Sequence, residues 1–427
     1  MRWLTYVFFA AVAAETAVRL WLATRQVHSV EMNRERVPEL FRDQIAPSDQ
    51  RRAADYTVAR VRFGRWATLS EAAIKLLLTV GGGLAGIEIL VDRWNLSEPW
   101  RGAVLVLSVM LALQLIGLPF ALYRIFRIEA RFGFNRTTLR LFWADFAKRL
   151  LLGFALGGPL LLVTLTLMQR AGTWWWMWTW AVWQAATLAL TWAAPRFIAP
   201  LFNRFAPLRD QALKARLQRL LERCGFDTGG GVFVMDGSKR SAHGNAYFTG
   251  VGRNKRIVFL DTLLARIDPE ELEAVLAHEL AHFRLHHVRH QLLLSMFASL
   301  IGLALLSWLA RHAEVFSALG VRMPSAAMTL LLGMVVGPVF LYFVTPLKSW
   351  WSRRQELAAD DFAARHSNAD QLAGALVKLY RDNASTLTPD RLHSAFYDSH
   401  PPAQLRIERL RSLAPPIGVA GLAAAGP

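Results

Sequence analysis

The chain of 427 residues contains one cysteine, Cys224, so no intrachain disulfide can form. One sulfur is also too few for a thiolate zinc site, and any metal centre must draw on histidine and carboxylate. Charge is scarce as well: 19% of residues are charged and 54% are hydrophobic, with a mean hydropathy of +0.26. A soluble chain of this length carries more charge and divides into two or three domains. Acidic residues are outnumbered, 32 Asp and Glu against 49 Lys and Arg, giving a net charge of +17. That charge is spread over loops between apolar runs and accompanies no nucleic-acid motif. Nucleic acid is therefore set aside as a partner, and membrane lipid with membrane topology accounts for the charge. Arginine greatly outnumbers lysine, a mark of genome composition, consistent with a bacterial source, and not of function.

In place of charge the sequence has apolar runs of about 20 residues, long enough to cross a hydrocarbon core of about 30 Å. Seven stand out: Leu4–Ala23, Ala67–Val91, Ala103–Tyr123, Leu150–Met168, Trp174–Ala194, Gln291–Leu309 and Ala326–Pro346. Sixteen Trp, several beside these runs, suit a membrane interface. The first run has no clear small-residue cleavage site and reads as a retained span. Glu15, Arg19, Glu71, Lys75 and Glu88 fall inside or at the edges of spans. Such charges are expected to face a bundle interior or a water-filled cavity, and for Arg19 and Lys75 the expectation is snorkelling toward the interface. The loops Arg25–Arg65 and Arg124–Arg149 hold nine and seven Lys/Arg. The opposite loops offer only Arg93 and Arg101, then Arg170, then Arg311 and Arg322. Basic loops stay in the cytoplasm, so the N-terminus is expected outside and the C-terminus inside. The expected location is the cell membrane, the inner one in a bacterium.

These marks divide the chain into a membrane region of five spans (1–194), a cytoplasmic segment (195–290), spans six and seven (291–346), a C-terminal segment (347–412) and a tail (413–427). The tail is rich in Ala, Gly and Pro and is expected to be disordered. In the cytoplasmic segment Leu213, Leu217, Leu220, Leu221 and Cys224 recur at helical spacing. Three short extended pieces follow, Val232–Met235, Asn245–Phe248 and Arg256–Leu260, and predict a small sheet. Asp268-Pro269-Glu270-Glu271 then reads as a helix start, with Asp268 as cap, Pro269 at the first position and Glu271 closing a capping box. The fold class is accordingly mainly α, a polytopic membrane protein whose cytoplasmic domain carries a small β-sheet.

On that capped helix lies His278-Glu279-Leu280-Ala281-His282. Residues four apart share a helix face, so both imidazoles can reach one ion. Glu279 sits one residue from the first ligand, where it can act as general base on a water that zinc has made acidic, with a pKa near 7. The plainer reading is a buried helix with incidental histidines. A catalytic zinc needs a third protein ligand and an open position. Glu356, in Gln355-Glu356-Leu357-Ala358-Ala359-Asp360, is the candidate, and Asp360, one turn on, is placed to orient a ligand histidine. The alternative for both carboxylates is a solvated face paired with arginines. Two spans separate His282 from Glu356, so both emerge on one side of the membrane. His286, His287 and His290 are assigned to the zinc-motif helix as it continues into the sixth span, as polar lining. Asn245 beside glycines can also be an ordinary left-handed turn residue, and His400-Pro401-Pro402 an ordinary loop.

Several longer motifs occur in one order: Ile128-Glu129-Ala130-Arg131-Phe132-Gly133-Phe134-Asn135, Phe197-Ile198-Ala199-Pro200-Leu201-Phe202-Asn203, Arg240-Ser241-Ala242-His243-Gly244-Asn245-Ala246-Tyr247-Phe248-Thr249-Gly250, the zinc motif, the Glu356–Asp360 motif, and His400-Pro401-Pro402 followed by Arg406. With them the chain resembles the type I CAAX prenyl proteases, integral-membrane zinc endopeptidases of the gluzincin clan. The resemblance implies seven helices enclosing a water-filled chamber, with one zinc per chain near its cytoplasmic end. It implies that Asn245 and Ala246 lie on an edge strand that pairs with substrate backbone. It also implies that His400 and Arg406 contact the substrate or the developing oxyanion. The expected substrate is a membrane-associated or misfolded peptide or protein. Two rivals stand beside this reading. A structural zinc normally has four protein ligands, whereas three are found here with a base beside them. A transporter commonly shows repeated halves, and no repeat is seen.

Overall fold

The computed structural model describes residues 2–226, 231–249 and 256–413. The tail expected to be disordered lies outside the described residues, apart from Leu413, which ends the last helix. Among the described residues, six helices are long and apolar enough to span a membrane: Trp3–Met32, Trp100–Glu129, Leu139–Arg170, Gly172–Phe202, His287–Leu309 and Ala326–His366. They correspond to six of the seven apolar runs. The remaining run, second in order, is a bent pair, Pro47–Leu78 and Gly83–Asp92, with 55° between the two halves. The break falls at a run of glycines. Gly82 has φ +75, and a Cβ on Gly81 would lie 2.7 Å from the Leu77 carbonyl oxygen, so a side chain there is excluded. Gly320, at φ +76, comes so close that its own Cβ would fall 2.3 Å from the Thr79 carbonyl. The hairpin between the last two spans thus packs into the break.

Two large apolar cores and a smaller cluster around Tyr56, Ile128 and Phe134 organise the described residues. One lies among the spans, around Leu84, Leu105, Val109, Leu165, Met328 and Leu332. The other fills the extramembrane half, around Phe41, Leu217, Leu220, Phe259, Leu276, Leu280 and Ile407. Between the first, second, third and last spans is a cavity of about 1340 Å³. Here Arg19 and Lys75 depart from the snorkelling expectation. The Lys75 ammonium lies 2.7 Å from Glu15, and Arg19 lies 3.3 Å from Glu15 and 2.6 Å from Glu71. Glu15 is almost fully buried, and a buried carboxylate beside lipid demands partners more strongly than a long cationic side chain gains from reaching water.

The sheet has four strands, β1 (Phe205–Pro207), β2 (Val232–Met235), β3 (Ala246–Thr249) and β4 (Arg256–Leu260), in the order β1-β2-β4-β3. The three-residue β1 had no sequence signal, being short and ending in proline. β2 and β4 run parallel, and β3 joins β4 antiparallel with Ala246 opposite Phe259. β3 is an edge strand, hydrogen-bonded on one side only. The zinc-motif helix Pro269–Arg284 does not continue into the sixth span as expected. It stops at Leu285, His286 turns to a left-handed φ of +58, and a new helix begins at His287.

Candidate active site

The zinc-motif helix starts in the expected capping box, with the Asp268 amide donating to Glu271 at 3.1 Å. Lys378 adds salt bridges of 2.7 Å to Asp268 and to Glu271, fixing this end to the helix Ala369–Asp382. Leu272, Val275, Leu276, Leu280 and Ala281 are buried in the extramembrane core. That packing leaves His278, Glu279 and His282 on the flank that faces the helix Thr345–His366. The latter presents Glu356 and Asp360, four residues apart, and the small buried side chains of Ala359 and Ala363 allow close approach.

The three expected ligands meet. One ligand atom from each of His278, His282 and Glu356 lies within 4.8 Å of the others. Glu356 Oε2 is 3.4 Å from His278 Nε2, and Oε1 is 3.5 Å from His282 Nε2. Zinc bonds of about 2.0–2.2 Å at tetrahedral angles imply ligand-to-ligand distances of about 3.4 Å. Glu356 Oε2 is buried and accepts no hydrogen bond, a costly condition that a cation relieves. The donor set therefore fits zinc, with three ligands and a position left for substrate or water.

Behind the ligands, Asp360 is wholly buried, and its Oδ1 lies 2.9 Å from His278 Nδ1. Arg406 clasps the same carboxylate with two hydrogen bonds of 2.8 and 2.6 Å. Arg406 is itself only 4% exposed, so its guanidinium faces Asp360 and not the open side of the site. This differs from the expected contact with substrate. A planar fork matched to a buried carboxylate is held there by two charge-assisted bonds. His400 is on the open side, with Nε2 3.4 Å from Glu356 Oε2 and Nδ1 3.0 Å from the Ser399 hydroxyl.

Burial works to lower the His278 pKa, but the Asp360 and Glu356 carboxylates outweigh it and hold the imidazole up at about 9. Burial and the neighbouring His278 push His282 down to about 4. Burial raises the Glu279 carboxyl to about 7, with Glu356 adding to the shift and His278 opposing it. Burial also lowers His400, against the pull of Glu356.

Some contacts had no sequence signal. His287 Nδ1 lies 3.1 Å from His282 Nδ1 across the helix break. Arg353, one turn before Glu356, donates to the carbonyls of Ser394, Ala395 and Asp398 at 3.2, 3.3 and 3.0 Å and so tethers the loop that leads to His400. The Arg240–Gly244 stretch is held from two sides. The Ala242 amide donates to the Phe134 carbonyl at 3.1 Å, and Asn383 receives the Gly244 amide at 3.1 Å. Immediately after it, Asn245 accepts from the Leu260 amide at 3.0 Å, and its side chain accepts from the Ala246 amide at 2.9 Å.

Residues 26–204 match the family model for the CAAX prenyl protease N-terminal region with five membrane helices, and residues 207–414 match the model for peptidase family M48. CAAX prenyl protease 1 of Saccharomyces cerevisiae is 30% identical over 429 residues, covering 93% of each chain. The chain belongs to peptidase family M48. Within it, the chain is homologous to the CAAX prenyl protease 1 proteins. The Arabidopsis thaliana homolog is 35% identical over 314 residues, 72% of each chain. The crystal structure of S. mikatae Ste24p superposes with a TM-score of 0.88 at 27% identity, covering 95% of this chain and 98% of that one. The resemblance stated from the motifs is thus borne out: this M48 protein is a multi-pass membrane zinc metalloendopeptidase that acts on peptide or protein substrates.

Proposed function

We propose that His278, His282 and Glu356 bind one zinc ion per chain and that Glu279 is the general base of peptide-bond hydrolysis. The observation that supports this most is the meeting of three ligand atoms at zinc-like separations around a buried carboxylate oxygen that accepts no hydrogen bond. Zinc, when bound, polarises a carbonyl and lowers the pKa of water to about 7. Glu279, whose carboxyl burial raises in the metal-free site, stands beside the first ligand, where it can take a proton from that water and return it to the leaving amine. Asp360 orients His278 so that Nε2 faces the ion, and Arg406 neutralises Asp360, which makes Arg406 a positioning residue. His400 donates a hydrogen bond to the developing oxyanion. The substrate joins the outer edge of β3 at Asn245 and Ala246 as an extended strand, held by main-chain hydrogen bonds.

The relatives are named for CAAX prenyl proteins. For this chain the proposed substrates are membrane-associated peptides and proteins, prenylated C-termini and misfolded chains among them. The basic loops favour an orientation with the site and the C-terminus in the cytoplasm. Cysteine labelling should then reach Arg51, Arg136, Lys239 and Leu405 positions from that side, and Trp100 and Ala318 from the other.

The test is Glu279→Gln in the purified chain, with zinc measured by elemental analysis and hydrolysis by a quenched peptide. Zinc should stay at about one per chain while the rate falls by about 100-fold or more. His278→Ala and Glu356→Ala should each lose most of the metal. Full activity in Glu279→Gln would overturn the mechanism.

A further inference from the structure

A second cavity, of about 490 Å³, lies between the helices Trp100–Tyr123 and Leu139–Leu152. That volume is within the range of about 300–1,000 Å³ typical of ligand sites. None of the metal-site residues lines it; Leu113, Gly117, Ala121 and Arg124 line both this cavity and the larger one, so the two adjoin along the helix Trp100–Tyr123. Leu118, Ile125, Phe142 and Phe146 make its apolar wall. Both flanking helices belong to membrane spans. The cavity also meets three arginines, and they differ in availability. Arg240 is engaged by Asp145, with two hydrogen bonds of 2.7 and 3.0 Å. Arg124 and Arg149 are exposed, and their side chains make no hydrogen bond or salt bridge among the described residues.

We propose that this cavity binds an anionic phospholipid, with Arg124 and Arg149 holding the phosphate and the acyl chains lying along Phe142 and Phe146. Arginine presents a planar fork that matches phosphate oxygens. Basic pockets between spans at the membrane surface take anionic headgroups. An inorganic anion would satisfy the two cations but leave the apolar wall uncovered. A zwitterionic lipid would cover the wall but bring its own cation to the arginines. Asp145 does not oppose binding, because Arg240 already neutralises it. The inference rests on the membrane architecture alone and is independent of the hydrolytic assignment.

The test is native mass spectrometry of the full chain in detergent, titrated with dioleoyl phosphatidylglycerol, dioleoyl phosphatidylcholine or inorganic phosphate. Each basic residue near an anionic lipid surface contributes roughly a fivefold factor in affinity. The first phosphatidylglycerol should therefore bind about 25-fold more weakly to Arg124→Gln/Arg149→Gln than to the parent. Phosphatidylcholine should bind both alike, and Arg136→Gln/Arg140→Gln, in the same loop but outside the cavity, should match the parent. Gly117 lies on the cavity wall, and a Cβ there meets nothing within 4 Å. Gly117→Leu should therefore fold, since leucine is the better helix former, and should weaken lipid binding by filling the space. Equal affinity in parent and Arg124→Gln/Arg149→Gln overturns the proposal. So does displacement by phosphate alone, which makes it a simple anion site. Loss on removing the arginines with no effect of Gly117→Leu also overturns it, since surface attraction then suffices.

Discussion

Replacing Arg406 by methionine separates two roles for this residue. Arg406 is 4% exposed, and its guanidinium makes hydrogen bonds of 2.8 and 2.6 Å to Asp360, which is fully buried and faces His278 Nδ1 at 2.9 Å. Methionine keeps most of the buried length but removes the charge. Asp360 is then left with His278 as its remaining partner. Removing one member of a buried ion pair costs about 3–5 kcal/mol, because the other charge stays buried without compensation. Loss of a group that orients a metal ligand lowers metal affinity by about 10–100-fold, or about 1.4–2.8 kcal/mol. The measurements are the thermal midpoint of the purified chain and zinc retention against a graded chelator. Both should fall in Arg406→Met, and Asp360→Asn in the same chain should recover part of the midpoint, since it removes the stranded charge, but not zinc retention, since it removes the carboxylate that orients His278. The competing role, a grip on substrate, predicts normal zinc retention, an unchanged midpoint and a raised KM. That combination would refute the reasoning.

His400→Ala should lower kcat by about 100-fold, as for a lost oxyanion donor, with zinc content unaltered; loss of zinc would make His400 a ligand. Asn245→Pro distorts the entry to β3, whose outward main-chain groups begin at Ala246 because the Asn245 carbonyl already accepts from Leu260, so peptide hydrolysis should collapse while zinc stays; unchanged turnover would move the substrate elsewhere. Zinc affinity should depend on pH in a set way. In the metal-free protein His278 holds a proton up to about pH 9, whereas His282, near 4, is already neutral. Zinc must displace that one proton, so affinity in a calorimetric or chelator titration should fall about tenfold per pH unit from 9 down to 7. Below 7 the fall should steepen, because Glu279 is then also protonated and the ion's charge expels that proton. A flat profile between 7 and 9 would mean that His278 is neutral before zinc arrives.

Much of the site could be read from the sequence because its determinants are local. His278 and His282 are one helical turn apart, and the Asp268–Glu271 box that starts their helix spans four residues. Glu356 was reachable through its own motif, with Asp360 one turn on, and parity supported it, since an even number of spans returns the chain to the same side. The spans were legible for the same reason: apolar length is a local property. What escaped depends on partners distant in sequence. Arg406 meets Asp360 across 46 residues, and nothing in either neighbourhood states that preference over a substrate carboxylate. Lys75 meets Glu15 across 60, so the local expectation of snorkelling was the wrong one. The break at Gly81 and Gly82 is hidden inside an apolar run, because hydropathy does not register a backbone that another loop, through Gly320, must approach closely. The stop at Leu285 ahead of His287 is similarly a matter of tertiary packing overriding an unbroken helical pattern.

The four charges between the first two spans have a consequence for how the membrane half is made. Glu15 and Arg19 are one turn apart on one helix, and Glu71 and Lys75 are one turn apart on the other. Each helix therefore enters the bilayer with an internal counter-ion at the spacing that helices favour, and neither need carry net charge alone. On docking, pairs between the helices are added: Lys75 closes on Glu15, and Arg19 reaches Glu71 while staying 3.3 Å from Glu15. A slip of one turn, about 5.4 Å along the axis, would set like charges level and undo both pairs between the helices. The ion pairs act as a vernier, tolerated during insertion and setting the register of the two helices once they meet.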